Sequence, residues 1–310
     1  MDIEKLKNEI DQLKKEREAI ILAHNYQRPE VQDVADHLGD SLDLSRIAAR
    51  TDAKVVVFCG VQFMAETAAM LSPQKTVLLP VREAGCPLAD MATAEQLRRK
   101  REEYPDAVVV AYVNTSAAVK AESDICCTSA NAVDVVRSIE GDRPVLFVPD
   151  RNLGHYAAQQ THREVILWDG WCPTHLSLSP VDVERCRKLY PEAAVMAHPE
   201  CSPEVLKRVD KVAGTSGMLR YPGGSTTQEF VVATESGMVY RLQKEYPEKR
   251  FYPATEHFIC PTMKMTTLEK IRIALRDMKH VVRVPEEIQD KARRVLEAML
   301  TVTASPRRAK

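Results

Sequence analysis

Three of the eight cysteines in this 310-residue chain keep a regular distance: Cys86, Cys172 and Cys260 lie 86 and 88 residues apart. A single cysteine is mostly a small buried hydrophobe, so spacing has to separate packing from chemistry. Structural zinc normally takes four protein ligands, often from CxxC pairs, and the chain has no such pair. Cys126 and Cys127 are adjacent, and neighbours on a strand point to opposite faces. A [4Fe–4S] cluster has four iron corners. Three thiolates leave one iron open as a Lewis acid for a substrate oxygen or nitrogen, whereas a fourth points to electron transfer. Cys201 follows His198-Pro199-Glu200 and is expected not to bind iron. Cys59, Cys126, Cys127 and Cys186 sit in strand or helix patterns and are expected to be packing residues.

Polar groups gather after three similar apolar runs. AIILAHNYQ at 19–27 delivers His24, Asn25 and Tyr26; AVVVAYVNT at 107–115 delivers Tyr112 and Asn114; AAVMAHPEC at 193–201 delivers His198 and Glu200. A buried parallel strand that opens into a functional loop has this pattern, and α/β sheets bind ligands at the carboxyl ends of their strands. Histidine and glutamate beside a Lewis acid make an acid/base set. Ser129 and Thr215-Ser216-Gly217 follow other short strands. There they read as an anion site, as helix caps, or as both.

The elements that must position these groups repeat with a unit of about 87 residues. Tyr104-Pro105, Tyr190-Pro191 and Tyr246-Pro247 each end a helical stretch before a strand, since the residue before proline is pushed out of the α region. A second strand is read at KVVVFCG (54–60), DICCTSA (124–130) and DKVAGTSG (210–217). A third is read at VLLP (77–80), LFVP (146–149) and FYP (251–253), each followed by one of the three regular cysteines. The loop from Pro149 to Cys172 is 23 residues, against 6 and 7 in the other two units. The fold class is α/β, with three similar sandwich domains of parallel sheet around a pseudo-threefold axis. The blocks are 1–18 (helix), 19–103, 104–189 and 190–262 (the three units), and 263–310 (terminal helices and tail). The two ends are read as lying outside the repeat, with helices over 266–280 and 285–300 and a disordered tail from Ala304 to Lys310.

Composition removes several classes. With 45% hydrophobic and 28% charged residues the bulk of the chain can fold around a core. A net charge of −1 shows no basic excess for nucleic acid. No apolar run reaches the length of a membrane span, and the start Met1-Asp2-Ile3-Glu4-Lys5 is unlike a signal peptide. A cytoplasmic location follows, where cysteines stay reduced. Gly39-Asp40-Ser41-Leu42 and Asp277-Met278-Lys279-His280 match the short signatures of GDSL esterases, with Ser41, Asp277 and His280 as the triad. Such esterases place the serine just after a strand, and here Asp33 to Leu38 reads as helix. Ser41 is then a helix cap or a substrate contact. The esterase and an iron–sulfur electron carrier are the competing readings.

Several motifs in order resemble the quinolinate synthase family, iron–sulfur enzymes of NAD biosynthesis. They are AHNYQ (23–27), GDSL (39–42), AYVNT (111–115), TSAN (128–131), AHPEC (197–201), GTSGM (214–218), ATESG (233–237) and CPTMKMTTLE (260–269); WDGWC (168–172) supports Cys172. The resemblance implies condensation of iminoaspartate with dihydroxyacetone phosphate to quinolinate, phosphate and water. It implies three α/β domains around one [4Fe–4S] cluster with Cys86, Cys172 and Cys260 as ligands. It places His24, Ser41, Tyr112, Asn114, Ser129, His198, Glu200 and Thr215 on the substrates. Glu200 is then the base, helped by Tyr26 and His24. The lability of iminoaspartate implies a partner enzyme that supplies it.

Overall fold

Runs rich in valine and isoleucine, bounded by helix stops, become parallel strands when helices can cover both of their faces. A computed structural model describes residues 3–302. Within them, β1 (Ala19–His24), β2 (His37–Gly39), β3 (Val55–Cys59) and β4 (Thr76–Leu78) form the first sheet. β5 (Val108–Tyr112), β6 (Ile125–Cys127), β7 (Val145–Val148) and β8 (Val165–Leu167) form the second. β9 (Ala194–Ala197), β10 (Lys211–Val212), β11 (Glu229–Ala233) and β12 (Arg250–Pro253) form the third. The orders are β2-β1-β3-β4, β6-β5-β7-β8 and β10-β9-β11-β12, and every pairing within the sheets is parallel. The expected α/β architecture of three similar units is therefore present. The Tyr-Pro stops also hold: Tyr104, Tyr190 and Tyr246 each close a helix, with their N–H bonded back into its last turn.

The register corrects the alignment of the repeats. β1, β5 and β9 lead their units, as expected, but KVVVFCG is the third strand of its unit while DICCTSA and DKVAGTSG hold the second strands of theirs. The true counterpart of β6 and β10 is β2, which begins inside the stretch from Asp33 to Leu38 that reads as helix. That helix, Pro29–Val34, stops early and the chain turns extended. Likewise LFVP is a third strand, whereas VLLP and FYP hold fourth strands. The long Pro149-to-Cys172 loop is thus no loop. It contains the helix Arg151–Thr161 and β8, and Cys172 follows its fourth strand as Cys86 and Cys260 follow theirs.

One polar device recurs in each unit. Asp36, Asp124 and Asp210 precede the second strand, and each carboxylate accepts the N–H of Ile21, Val109 or Val195 on the leading strand at 2.7 to 2.8 Å. Lys14, Arg101 and Arg187 reach those same carboxylates from the helices Ile3–Arg17, Ala94–Glu103 and Pro180–Leu189. Lys14 of the amino-terminal helix thus makes the contact that Arg101 and Arg187 make from the helices before the other two leading strands. The helices that end the first two predicted blocks pack onto the sheet that follows.

The helices expected at 266–280 and 285–300 run over Leu268–Asp277 and Glu286–Thr301. The first buries Leu268, Ile271 and Leu275 with Leu6 and Ile10 of the amino-terminal helix, covering one face of the first sheet. The segment between them adds an antiparallel bridge, Val281 to Leu78, along the edge of that sheet, covering backbone groups an edge strand leaves unpaired. The second helix places Ala292, Val295, Leu296 and Met299 in the largest core cluster. The tail from Ala304 lies outside the described residues.

Candidate active site where the three units meet

The leading strands end at one place. With Ala23, Ala111 and Ala197 aligned, the parallel register makes His24, Tyr112 and His198 equivalent, and two residues on Tyr26, Asn114 and Glu200. After the second strands the same register makes Ser41, Ser129 and Thr215 equivalent. These nine residues and Cys86, Cys172 and Cys260 all line one cavity of about 70 Å³. Asp277 and His280 are exposed and do not line it; Asp277 is paired with Arg276 and Lys279. Ser41 does follow a strand, contrary to the sequence reading. Asp40 is the cap of the helix it opens, accepting from the Leu42 and Asp43 N–H groups. Neither Ser129 nor Thr215 is a cap: Asn131 and Gly214 occupy those positions.

Close backbone approach brings the loops together. A Cβ on Gly237 would sit 2.7 Å from the Tyr26 carbonyl carbon, and one on Gly214 would sit 2.7 Å from Ser129 Oγ. Only glycine leaves that room. Asn25 Nδ2 donates to Thr215 Oγ1 at 2.9 Å and Ser216 Oγ to Asp43 at 2.6 Å, joining first and third units, and Lys264 Nζ, just after the third, donates to the Tyr26 carbonyl at 2.6 Å. Asn152 Nδ2 donates to the Glu200 carbonyl at 3.0 Å, joining second and third. Fully buried Lys120 donates to the carbonyls of Val113 and Thr115, on either side of Asn114.

Glu200 is 3% exposed, and both of its imidazole neighbours reach the same oxygen. His175 Nδ1 lies 2.7 Å and His198 Nδ1 3.2 Å from Oε2. Behind them the chain of contacts continues. His175 Nε2 is 2.9 Å from Thr234 Oγ1, which is 2.6 Å from Tyr26 Oη; His198 Nε2 is 3.1 Å from Ser129 Oγ. With His175 Nδ1 protonated, the hydroxyls of Thr234 and Tyr26 donate in turn toward Glu200; His198 Nδ1 is also the acceptor of the Glu200 N–H at 3.4 Å. Oε1 is buried and has no hydrogen-bond partner, as is Asn114 Oδ1. Burial works to raise the Glu200 carboxyl, but His175 and His198 outweigh it and hold it below the ordinary carboxylate range. Burial, reinforced by His198, lowers His24 to about 3. Its Nδ1 accepts the Tyr26 N–H, so its Nε2 carries the proton. Burial and the charge of Glu200 push the Tyr26 and Tyr112 phenols well above their usual range, so both stay neutral donors.

The cysteines fit a metal-cluster donor set. All eight are free of disulfides. Cys86 and Cys172 are raised chiefly by burial, Cys86 to about 12, and Cys260 adds to Cys86 as Cys86 does to Cys172. Neighbouring thiols in such surroundings ionise only when a cation offsets the cost. Backbone N–H groups of Ala89 and Leu88 point at Cys86 Sγ, and that of His175 at Cys172 Sγ. Cys201 is absent from the cavity wall and packs with Val195 and Val231 in the third unit.

Comparison with known proteins decides the family. The profile described as quinolinate synthetase A protein matches residues 8–301. The chain belongs to the quinolinate synthase family. It is 55% identical over 303 residues to the quinolinate synthase of Desulforudis audaxviator, covering 97% of this chain and 100% of that one. It is 54% identical to that of Methanoregula boonei (96% and 98% covered) and 52% to that of Thermodesulfovibrio yellowstonii (95% and 97%). The chain is thus an enzyme related to quinolinate synthases. No described helix is long and apolar enough to cross a membrane.

Sequence reading missed His175 and Thr234. The signal for His175 was present: all three regular cysteines precede proline, and only the second turn reads Cys-Pro-Thr-His. His175 is 2% exposed, and its ligating atom groups with Cys172 Sγ and a Glu200 oxygen within 4.8 Å. Thr234 is fully buried behind the cavity wall, and its residue type alone carries no signal.

Proposed function

We propose that this enzyme condenses iminoaspartate with dihydroxyacetone phosphate to form quinolinate, phosphate and water. The observation that carries the reading is Glu200 Oε1: a buried, unpartnered carboxylate oxygen in a cavity shared with three thiols from three units. Cys86, Cys172 and Cys260 would hold a [4Fe–4S] cluster, which supplies a Lewis acid at its unligated iron. The family membership and the three free, half-buried thiols support this.

The other roles follow from where charge must move. The hydroxyls of Ser41, Ser129 and Thr215 stand at equivalent positions and donate to the phosphate of the triose, stabilising it as it leaves. Glu200 Oε1 takes the proton that carbon–carbon bond formation and dehydration release. Its other oxygen is held by His175 and His198, so the base is oriented before substrate arrives. Tyr26 hands protons along Thr234 and His175 during isomerisation and ring closure. His24 and Tyr112, both neutral, donate to substrate oxygen, and Asn114 Oδ1 accepts from the nitrogen-bearing substrate. Iminoaspartate hydrolyses readily, so an enzyme oxidising an amino acid must supply it. Eight free thiols suit a reducing cytoplasm.

Anaerobic reconstitution with iron and sulfide tests the cofactor, and quinolinate formation from the two substrates tests the reaction. Iron and sulfide in about four-to-four ratio are expected. A chain that instead retains one zinc would favour a single-ion site at Cys172, His175 and Glu200.

A further inference from the structure

We propose that Asp150 and Glu235 are positioning residues for the second and third cysteine loops, and that the first unit has no counterpart to them. The inference rests on reading Cys86, Cys172 and Cys260 as cluster ligands.

The register supplies the equivalence. Cys59, Val148 and Ala233 pair with Ala23, Ala111 and Ala197 on the leading strands. Two residues further on stand Val61, Asp150 and Glu235. One attachment of the cysteine loop is common to all units. The N–H of Gln62, Arg151 and Ser236 donates to the carbonyl of Ala84, Gly170 and Phe258, each at 2.8 Å. Those carbonyls lie two residues before the cysteine in every case.

A second attachment exists in two units only. Cys172 N–H donates to Asp150 Oδ2 at 3.1 Å, and Cys260 N–H to Glu235 Oε1 at 3.3 Å. Both side chains are fully buried. Each is itself fixed: Asp150 Oδ1 accepts the Leu153 N–H and Glu235 Oε2 the Gly237 N–H, both at 2.7 Å, and Lys264 Nζ lies 2.9 Å from Glu235 Oε1. The ligand residue's own backbone is thereby tied to the end of the neighbouring strand. Val61 has no acceptor to offer, so Cys86 keeps the backbone attachment alone. Groups that orient a metal ligand without touching the metal typically change retention about 10- to 100-fold.

The test uses the full-length chain, reconstituted anaerobically with iron and sulfide, then challenged with an iron chelator and iodoacetamide. Cluster loss is followed by its visible absorbance, and the alkylated cysteines are mapped by mass spectrometry. Asp150→Ala and Glu235→Ala should lose the cluster roughly 10- to 100-fold faster than wild type. Cys172 should be alkylated first in the former and Cys260 first in the latter. Asp150→Asn and Glu235→Gln keep one acceptor and should recover part of the loss with the same cysteine order; they carry the test if an alanine variant fails to fold. Alanine variants that hold the cluster as long as wild type overturn the proposal. So does faster loss with all three cysteines alkylated evenly, which would indicate general loosening. A wild-type chain that takes up no iron and sulfide instead defeats the ligand reading on which the proposal rests.

Discussion

The three cysteine turns carry the same two residues in every unit, Cys86-Pro87, Cys172-Pro173 and Cys260-Pro261, and the second strands deliver a hydroxyl in every unit, Ser41, Ser129 and Thr215. The loops after the leading strands keep nothing constant: one equivalent position holds Tyr26, Asn114 and Glu200. Both regions face the same cavity from the same end of the same sheets. The difference teaches which demands are symmetric. On the proposed function, a group held by one thiol per unit would ask the same of each, and a phosphate would be served by like hydroxyls. On the same reading, two unlike organic substrates would need a base at one place and neutral donors at others, which fits the lack of repetition there. The carboxyls at 150 and 235 lie between these extremes, shared by two units and replaced by Val61 in the third.

The sharpest way to break the comparison is to remove single thiols. Cys86→Ala, Cys172→Ala and Cys260→Ala should each lose essentially all iron and sulfide. Alanine at Cys59, Cys126, Cys127, Cys186 or Cys201 should leave both in place, because those side chains are buried away from the cavity wall. Iron content decides it, and loss of the cluster in Cys201→Ala would show that the symmetric set has a fourth member.

Next in size is the asymmetric position. Glu200→Gln should keep the cluster and lower turnover by about 10²- to 10⁴-fold. A rate near that of wild type would make Glu200 a binding or structural residue. Thr234→Val probes the relay behind Glu200. It leaves Tyr26 Oη without its 2.6 Å partner and His175 Nε2 without its 2.9 Å one, a cost of about 1–3 kcal/mol per group left unpaired. Chemical denaturation should show that loss, together with an altered pH profile of turnover. Lost stability with an unchanged profile would reduce Thr234 to a packing residue.

Titration separates His24 from its counterpart Tyr112. Burial depresses His24 to about 3 in the fold, while an unfolded histidine titrates near 6.5. Between those values the unfolded chain binds the extra proton, so stability should fall as pH drops below about 6.5, by at most about 1.4 kcal/mol per pH unit from this group. Glu200, also depressed, adds a loss of the same sign at more acid pH. Denaturant unfolding across that range should show a shallower slope in His24→Gln. An equal slope would mean that His24 is not the group titrating.

The smallest effect expected is also the most symmetric. Asp36→Asn, Asp124→Asn and Asp210→Asn should each cost about 1 kcal/mol, because each carboxylate holds the same backbone N–H of its leading strand. A cost confined to one unit would show that the repeat is geometric without being energetic.

The sequence by itself determined whatever rests on local chemistry and period. The leading strands, the Tyr-Pro stops, the unit of about 87 residues and twelve of the residues that line the cavity were legible, because a parallel strand must be apolar and a functional loop must turn polar at its end. Two short strands, β2 and β8, were not. His37–Gly39 has three residues and follows helical spacing, so only pairing with β1 makes it extended. That one element misaligned the second and third strands of the repeat and made a helix and a strand pass for a 23-residue loop. Tertiary structure alone decided which core each terminal helix packs into. It alone decided that two imidazoles converge on one oxygen of Glu200 and leave the other free, that Thr234 and Asp150 stand behind the wall, and that Glu235 reaches the Cys260 backbone. Those relations join residues from different units, and a hydrogen bond between them leaves no period along the chain.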